Sequence, residues 1–197
     1  MSHGTAAALV VTRHGGPNVL AVQQREVPEP GAGEVLVQVA AAGVNFIDVY
    51  QREGIYPTVP PFVLGQEGAG VVSAVGDDTD GFAVGDRVAW PFALGSAGSL
   101  VCVPARNLVR VPDAVHLETA AAVMLQGLTA HYLTRSTYPV GPGTTALVHA
   151  AAGGVGQLLV QMVKALGGIV IATAGSAEKC STAAELGADH TINYRTE

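Results

Sequence analysis

Valine and alanine alternate with polar or glycine positions through the first half of the chain, in the short runs AALVVTR, EVLVQVAAAGV, GAGVVSAVG, DRVAWPF and SLVCVP. A period of two built on β-branched residues predicts strands, so the chain up to about Val111 reads as antiparallel β. The intervening segments VPEPGAGE and GDDTDGFAVGDRV supply turns, with proline presetting one dihedral and glycine allowing positive φ. From Leu117 the rhythm becomes helical: LETAAAVMLQGLTAHYLTRSTY predicts one long helix, weakened at Gly127. Past PVGPG, strand and helix alternate as TALVHA, GVGQLLVQMVKALG, GIVIATA, AEKCSTAAELG and a short third strand around HTIN. Such alternation predicts a parallel sheet with crossover helices.

The expected fold class is therefore α/β, with a β-rich domain over residues 1–120 and a parallel-sheet domain over 121–197. The second holds one βαβαβ half of a dinucleotide-binding fold that uses two. On that ground the sequence reads as truncated or clipped, with half of the nucleotide domain present.

Composition narrows the function. Across 197 residues, 49% are hydrophobic, enough for a packed core, and 13% are charged, with a net charge of -6. No basic field exists to attract a nucleic-acid backbone or an anionic lipid surface. Apolar runs are interrupted by glycine well short of the ~20 residues that span a bilayer. The N-terminal stretch lacks the charged-then-apolar order of a secretory signal, since Arg13 follows the apolar run, and a cytoplasmic protein is expected. Cys102 and Cys180 stand far apart, which fits two isolated reduced thiols and neither a disulfide framework nor a closed zinc site.

The sharpest chemical signal is Ala151-Ala152-Gly153-Gly154-Val155-Gly156. It matches the dinucleotide fingerprint G-x-G-x-x-G with alanine in the first place, follows a strand, and opens a helix whose apolar positions Val155, Leu158, Leu159, Met162, Val163 and Leu166 line one face. Absent side chains let the backbone approach a diphosphate, while the helix N-terminus attracts its charge. The competing explanation is a plain strand-to-helix turn.

An NAD site carries an acidic residue about 20 positions on, for the ribose hydroxyls. Here the second strand ends in Ala174, Gly175 and Ser176, followed by Lys179, which leaves room and a cation for a 2′-phosphate and favours NADPH. Glu178 dilutes that field, and Lys179 as a solvated helix charge is the alternative. His149 is expected as a hydrogen-bonded core residue.

Taken together, GVNFIDVYQREGIYP, GQEGAGVVSAVG, GDRVAW, LQGLTAHYL and HAAAGGVGQL…ALGGIVIATAGSAEK resemble the NADPH-dependent quinone oxidoreductases of the zeta-crystallin type. These belong to the medium-chain dehydrogenase/reductase superfamily. The resemblance implies a GroES-like β domain, a Rossmann domain and an active site in the cleft between them. Zinc-dependent alcohol dehydrogenases of the superfamily ligate metal with cysteine and histidine at positions that here read Asn45-Phe46-Ile47-Asp48 and Gly65-Gln66-Glu67. No metal is expected, because neither sulfur nor imidazole is on offer.

The activity so implied is zinc-independent delivery of hydride or electrons from NADPH to quinones or α,β-unsaturated carbonyls. An enoyl-thioester reductase and a non-catalytic NADPH-binding or structural protein are the alternatives. The resemblance carries catalytic candidacy to Asn45, Asp48, Tyr50 and Tyr56. Each has a bland counterpart: Asn45 as a helix cap, Asp48 as a backbone acceptor in the same turn, the tyrosines as domain-edge aromatics. Cofactor binding is carried to Asn45, Phe46, Tyr50, Thr129 and Tyr132, to Gly153, Gly154, Val155 and Gly156, to Gly175, Ser176 and Lys179, and to Tyr194. Gln126 stands where family members can carry lysine. The resemblance further implies that the full-length parent pairs as a homodimer.

Overall fold

The computed structural model describes residues 4–197, and the chain divides between Leu125 and Gln126 into two compact units. The first is antiparallel β. One sheet has the order β2-β1-β4, formed by β1 (Thr5–Val11), β2 (Leu20–Glu26) and β4 (Phe62–Val63). The other has the order β7-β3-β5-β6-β8, formed by β3 (Glu34–Gly43), β5 (Glu67–Val75), β6 (Arg87–Trp90), β7 (Leu100–Pro104) and β8 (Val109–Arg110). Helix α1 (Phe46–Glu53) follows β3 directly, which sets its N-terminus at the end of that strand.

Valines of the alternating runs face inward. Val35, Val37, Val72, Val88, Val101 and Val103 form one buried cluster around Trp90. The indole N–H of Trp90 donates to Ser96 Oγ at 2.8 Å, and that hydroxyl donates to the carbonyl of Ala93 at 2.6 Å, so the polar edge of the largest core side chain is satisfied. Cys102 faces the loop before β3. Burial pushes its thiol up to about 11, the Glu34 charge adding. At pH 8 only about one such thiol in a thousand is thiolate. Cys102 is therefore expected to alkylate with iodoacetamide about a hundredfold more slowly in the folded chain than in urea, read by peptide mass spectrometry.

The second unit is a parallel sheet of order β11-β10-β9, from β9 (Thr145–Val148), β10 (Ile169–Ala174) and β11 (His190–Asn193). Two crossover helices connect them, α3 (Gly154–Ala165) and α4 (Ala177–Glu185). Its core is Val148, Ala151, Val160, Val163, Val170, Ala172 and Ala183. Helix α2 (Leu117–Tyr132) runs across the division between the units.

Three expectations need correction. The long helix stops being α-helical at Tyr132 and continues as a π-type turn over Leu133–Thr137. Thr134 Oγ1 donates back to the carbonyls of Ala130 and His131, at 2.8 and 3.2 Å, competing with the helical ladder. The buried face of α3 is centred on Gly156, Val160 and Val163, so Leu158 and Leu166 lie at its margins. His149 is hydrogen bonded as expected, Nδ1 lying 3.0 Å from Thr173 Oγ1, but it stands exposed past the end of β9 and is no core residue. Among the described residues no helix is long and apolar enough to cross a membrane.

Candidate functional site

In the first unit, the residues singled out between positions 45 and 56 gather around α1. Asn45 is its N-cap, in extended conformation, and the Asp48 carboxylate accepts the Asn45 amide N–H at 2.8 Å. Both bland alternatives for these residues are thus present in the structure. Helix capping does not, however, use up the Asn45 side chain. Its Nδ2 donates to Glu67 Oε2 at 2.7 Å, and the other oxygen of that carboxylate accepts the amide N–H of Leu125 at 2.6 Å.

Glu67 is completely buried and pairs across the sheet with Gly43. A β-carbon at position 43 would lie 2.7 Å from Glu67 Cδ and nearer still to Oε2, so glycine there makes the space that the carboxylate fills. Asp48 is buried as well. Burial pushes its carboxyl up, the Asn45 N–H opposes, and the Glu67 charge adds to the rise.

Gly54, at φ +79, ends α1 and turns the chain so that the amides of Ile55 and Tyr56 return to the Tyr50 carbonyl. That turn brings Tyr56 to within 5.3 Å of Tyr50, ring centre to ring centre, and Phe46 lies 5.5 Å from Tyr50. Phe46 and Tyr56 are exposed, so three aromatic rings form a ledge open to a planar ligand. Sequence reasoning brought Asn45, Phe46, Asp48, Tyr50 and Tyr56 together and missed Glu67. The available signal was a single carboxylate opening an otherwise apolar strand.

In the second unit the candidates converge on the carboxyl ends of the three parallel strands, the edge at which open α/β sheets bind ligands. After β9 the chain turns through Ala150, at φ +50, and the Gly153 N–H closes the turn on the Ala150 carbonyl at 2.8 Å. Gly153 is the N-cap of α3 and brings no side-chain oxygen to it, so first-turn amides beside the exposed Gly153 and Gly154 are left for a ligand. Gly156, by contrast, is buried against the turn. A β-carbon there would sit 2.8 Å from the Ala151 Cα and closer to the Ala150 carbonyl oxygen.

Gln126 lays its carboxamide on Gly154, with Nε2 2.9 Å from where a β-carbon would stand. Thr129 and Tyr132 follow at one-turn intervals on α2. After β10, Gly175 lies under the Tyr194 hydroxyl, which a β-carbon would meet at 2.6 Å. Ser176 caps α4 by accepting the Lys179 amide at 3.3 Å, and the Lys179 side chain is exposed beside that cap. A backbone cradle, a half-occupied serine, a cation and an aromatic ring at one sheet edge fit a phosphorylated dinucleotide. The Asn45, Gln66 and Glu67 set does not fit zinc, since it offers neither thiolate nor imidazole and Asn45 and Glu67 bond each other.

The alcohol dehydrogenase GroES-like domain family matches residues 31–113, and the zinc-binding dehydrogenase family matches residues 154–197. The quinone oxidoreductase of Pseudomonas aeruginosa is 48% identical over 186 residues, 93% of this chain and 57% of that protein. The 2-haloacrylate reductase of a Burkholderia species is 43% identical over 200 residues, 96% of this chain and 59% of that protein. The crystal structure of Escherichia coli quinone oxidoreductase complexed with NADPH superposes with a TM-score of 0.95 at 42% identity, over 97% of this chain and 59% of the other. The chain thus spans somewhat more than half the length of the proteins it matches. With a β-rich unit and a parallel-sheet unit matched in the same order, the chain belongs to the medium-chain dehydrogenase/reductase superfamily, in its quinone oxidoreductase-like branch.

Proposed function

We propose that this chain is the NADPH-binding and acceptor-binding part of a zinc-independent reductase of quinones or α,β-unsaturated carbonyls. The observation that carries this reading is the cradle: an N-cap glycine without a capping side chain, at the carboxyl edge of a parallel sheet, with Lys179 and Tyr194 along the same edge. The P. aeruginosa relative is a quinone oxidoreductase and the E. coli one is a complex with NADPH, and both support it. The Burkholderia relative, a reductase of a halogenated acrylate, supports an activated alkene as the alternative acceptor.

A bound dihydronicotinamide supplies hydride. The protein's share is to hold reactants and answer charge that develops on the acceptor oxygen. First-turn amides of α3 would hold the diphosphate, Tyr194 would stack on the adenine, and Lys179 would meet the 2′-phosphate. The Phe46, Tyr50 and Tyr56 rings would seat a planar acceptor, with the Asn45 amide and the Tyr56 hydroxyl as donors to its oxygen. No zinc is needed, because quinones and enones are already electron-poor.

Mixing the chain with NADPH and 1,4-benzoquinone and following the nicotinamide absorbance tests the activity. Steady oxidation supports the reading, and binding without oxidation overturns it for this chain. Lys179→Ala is expected to weaken NADPH binding about tenfold, the worth of one charged phosphate contact, and to leave NADH binding unchanged. An equal change for both nucleotides in a fluorescence titration would remove Lys179 from the 2′-phosphate.

A further inference from the structure

We propose that Glu67 is a positioning residue that fixes the orientation of the Asn45 carboxamide. The inference rests on the reading of Asn45 as a donor to the acceptor oxygen, and it assigns a role to a side chain outside the residues that touch the reactants.

Two donors converge on the carboxylate, Asn45 Nδ2 at 2.7 Å on Oε2 and the Leu125 amide at 2.6 Å on Oε1. The first comes from the cap of α1 and the second from the middle of α2. A carboxylate has one acceptor oxygen for each, whereas a glutamine would have one for both. The group is fully buried, and its seat is walled by Gly43 and by the Ala121 carbonyl, which lies 3.0 Å from where a Gly43 β-carbon would stand. Held at both oxygens in that seat, Glu67 has no freedom to turn.

The consequence falls on Asn45. An amide side chain can face either way, and its direction is decided by its neighbours. Both Glu67 oxygens accept, so it is the Nδ2 edge of Asn45 that faces Glu67. The carbonyl oxygen is then turned away from Glu67, and one N–H of Nδ2 remains beyond the Glu67 bond. That remaining N–H is the donor the proposed reaction requires. Glu67 thus sets the polarity that Asn45 presents, and the fixed donor avoids the reorganisation that a freely flipping amide would need as charge develops.

The test substitutes Glu67→Gln, alone and in an Asn45→Ala background. In the otherwise unchanged chain, the single oxygen of glutamine leaves either Asn45 or Leu125 facing an NH2 group. The Asn45 amide then loses its fixed direction. The expected result is a fall in kcat of about tenfold or more with KM little changed, since a donor aimed at developing charge acts only while its direction is fixed. In the Asn45→Ala background the same substitution is expected to leave kcat unchanged, while the melting midpoint falls in both backgrounds through Leu125. Equal losses of kcat in the two backgrounds would overturn the proposal.

A second measurement needs neither a variant nor activity. In uniformly 15N,13C-labelled chain, a through-hydrogen-bond coupling is expected between Asn45 Nδ2 and Glu67 Cδ, with the two Asn45 side-chain protons widely separated in shift. Degenerate, exchanging protons and no coupling would overturn the proposal even if the enzyme is active. Quinone reduction absent from the unmutated chain, with the coupling present, would sink the proposed function and leave the Glu67–Asn45 lock standing.

Discussion

Gly156→Val is expected to abolish dinucleotide binding and to destabilise the second unit by about 3 kcal/mol or more, beyond the usual cost of overpacking a core. The nearest neighbours of a side chain at 156 are the Ala150 carbonyl group and the Ala151 Cα, all main-chain atoms at 3.0 Å or less. None can swing aside as a side-chain tip would. Ala150 already holds a left-handed φ of +50, and the Ala151 amide is committed to the Thr173 carbonyl at 3.1 Å, so the turn has no slack to move into. The remaining relief is for α3 to lift away from β9, which unseats Val160 and Val163 from the core and carries the first-turn amides out of register with each other. Stability and binding must then fail together. Calorimetric titration with NADPH should show affinity reduced more than a hundredfold, and thermal melting should show a clear loss. Binding close to that of the unchanged chain would mean that the diphosphate is held somewhere other than at this helix start.

How much of this was legible in the sequence depends on the range of the interaction that decides each feature. Strands β1, β3 and β5 to β7 were legible because their alternating valines answer to one buried face. Strands β2 and β4 were not, because β2 (LAVQQRE) is an edge strand with little buried surface and β4 is only two residues long. The glycine turn into α3 was legible because strand, turn and helix are contiguous, and the end of β10 before Gly175 and Ser176 for the same reason. Position 149 misled: a histidine after an apolar run reads as interior, yet β9 ends one residue earlier and the ring lies outside.

Around α1 the candidates Asn45, Phe46, Asp48, Tyr50 and Tyr56 were found because they fall within one short segment. Glu67 escaped for the opposite reason. Its partners are 22 positions back, at Asn45, and 58 positions on, at Leu125, and only the pairing of β3 with β5 and the path of α2 bring them together. The resemblance put the absent metal-binding histidine one position earlier, at Gln66, and gave no sign of what Glu67 holds.

The same geometry makes Gly43→Ala the more informative of the destabilising changes. A single added methyl group would stand 2.7 Å from Glu67 Cδ, and nearer to Oε2. Position 43 has ordinary backbone dihedrals, so alanine there brings no conformational penalty of its own, and the whole effect acts through its neighbour. Either strand β3 shifts against β5, or the carboxylate leaves Asn45 and Leu125 and stays buried without them. Losing a hydrogen bond to a buried carboxylate costs about 1.5–3 kcal/mol, and the displaced Glu67 would lose two. The expected result is a fall of that order in unfolding free energy, read from a shifted denaturant midpoint at constant slope. Glu67→Ala removes the atoms that collide, so Gly43→Ala should cost little more in that background, where the Ala121 carbonyl at 3.0 Å is the next contact. The pair should therefore be strongly non-additive, as residues sharing one seat are. Additive losses would show that Gly43 is required by the strand path and owes nothing to the carboxylate, and the physical link from sheet register to the orientation of Asn45 would be broken at its first step.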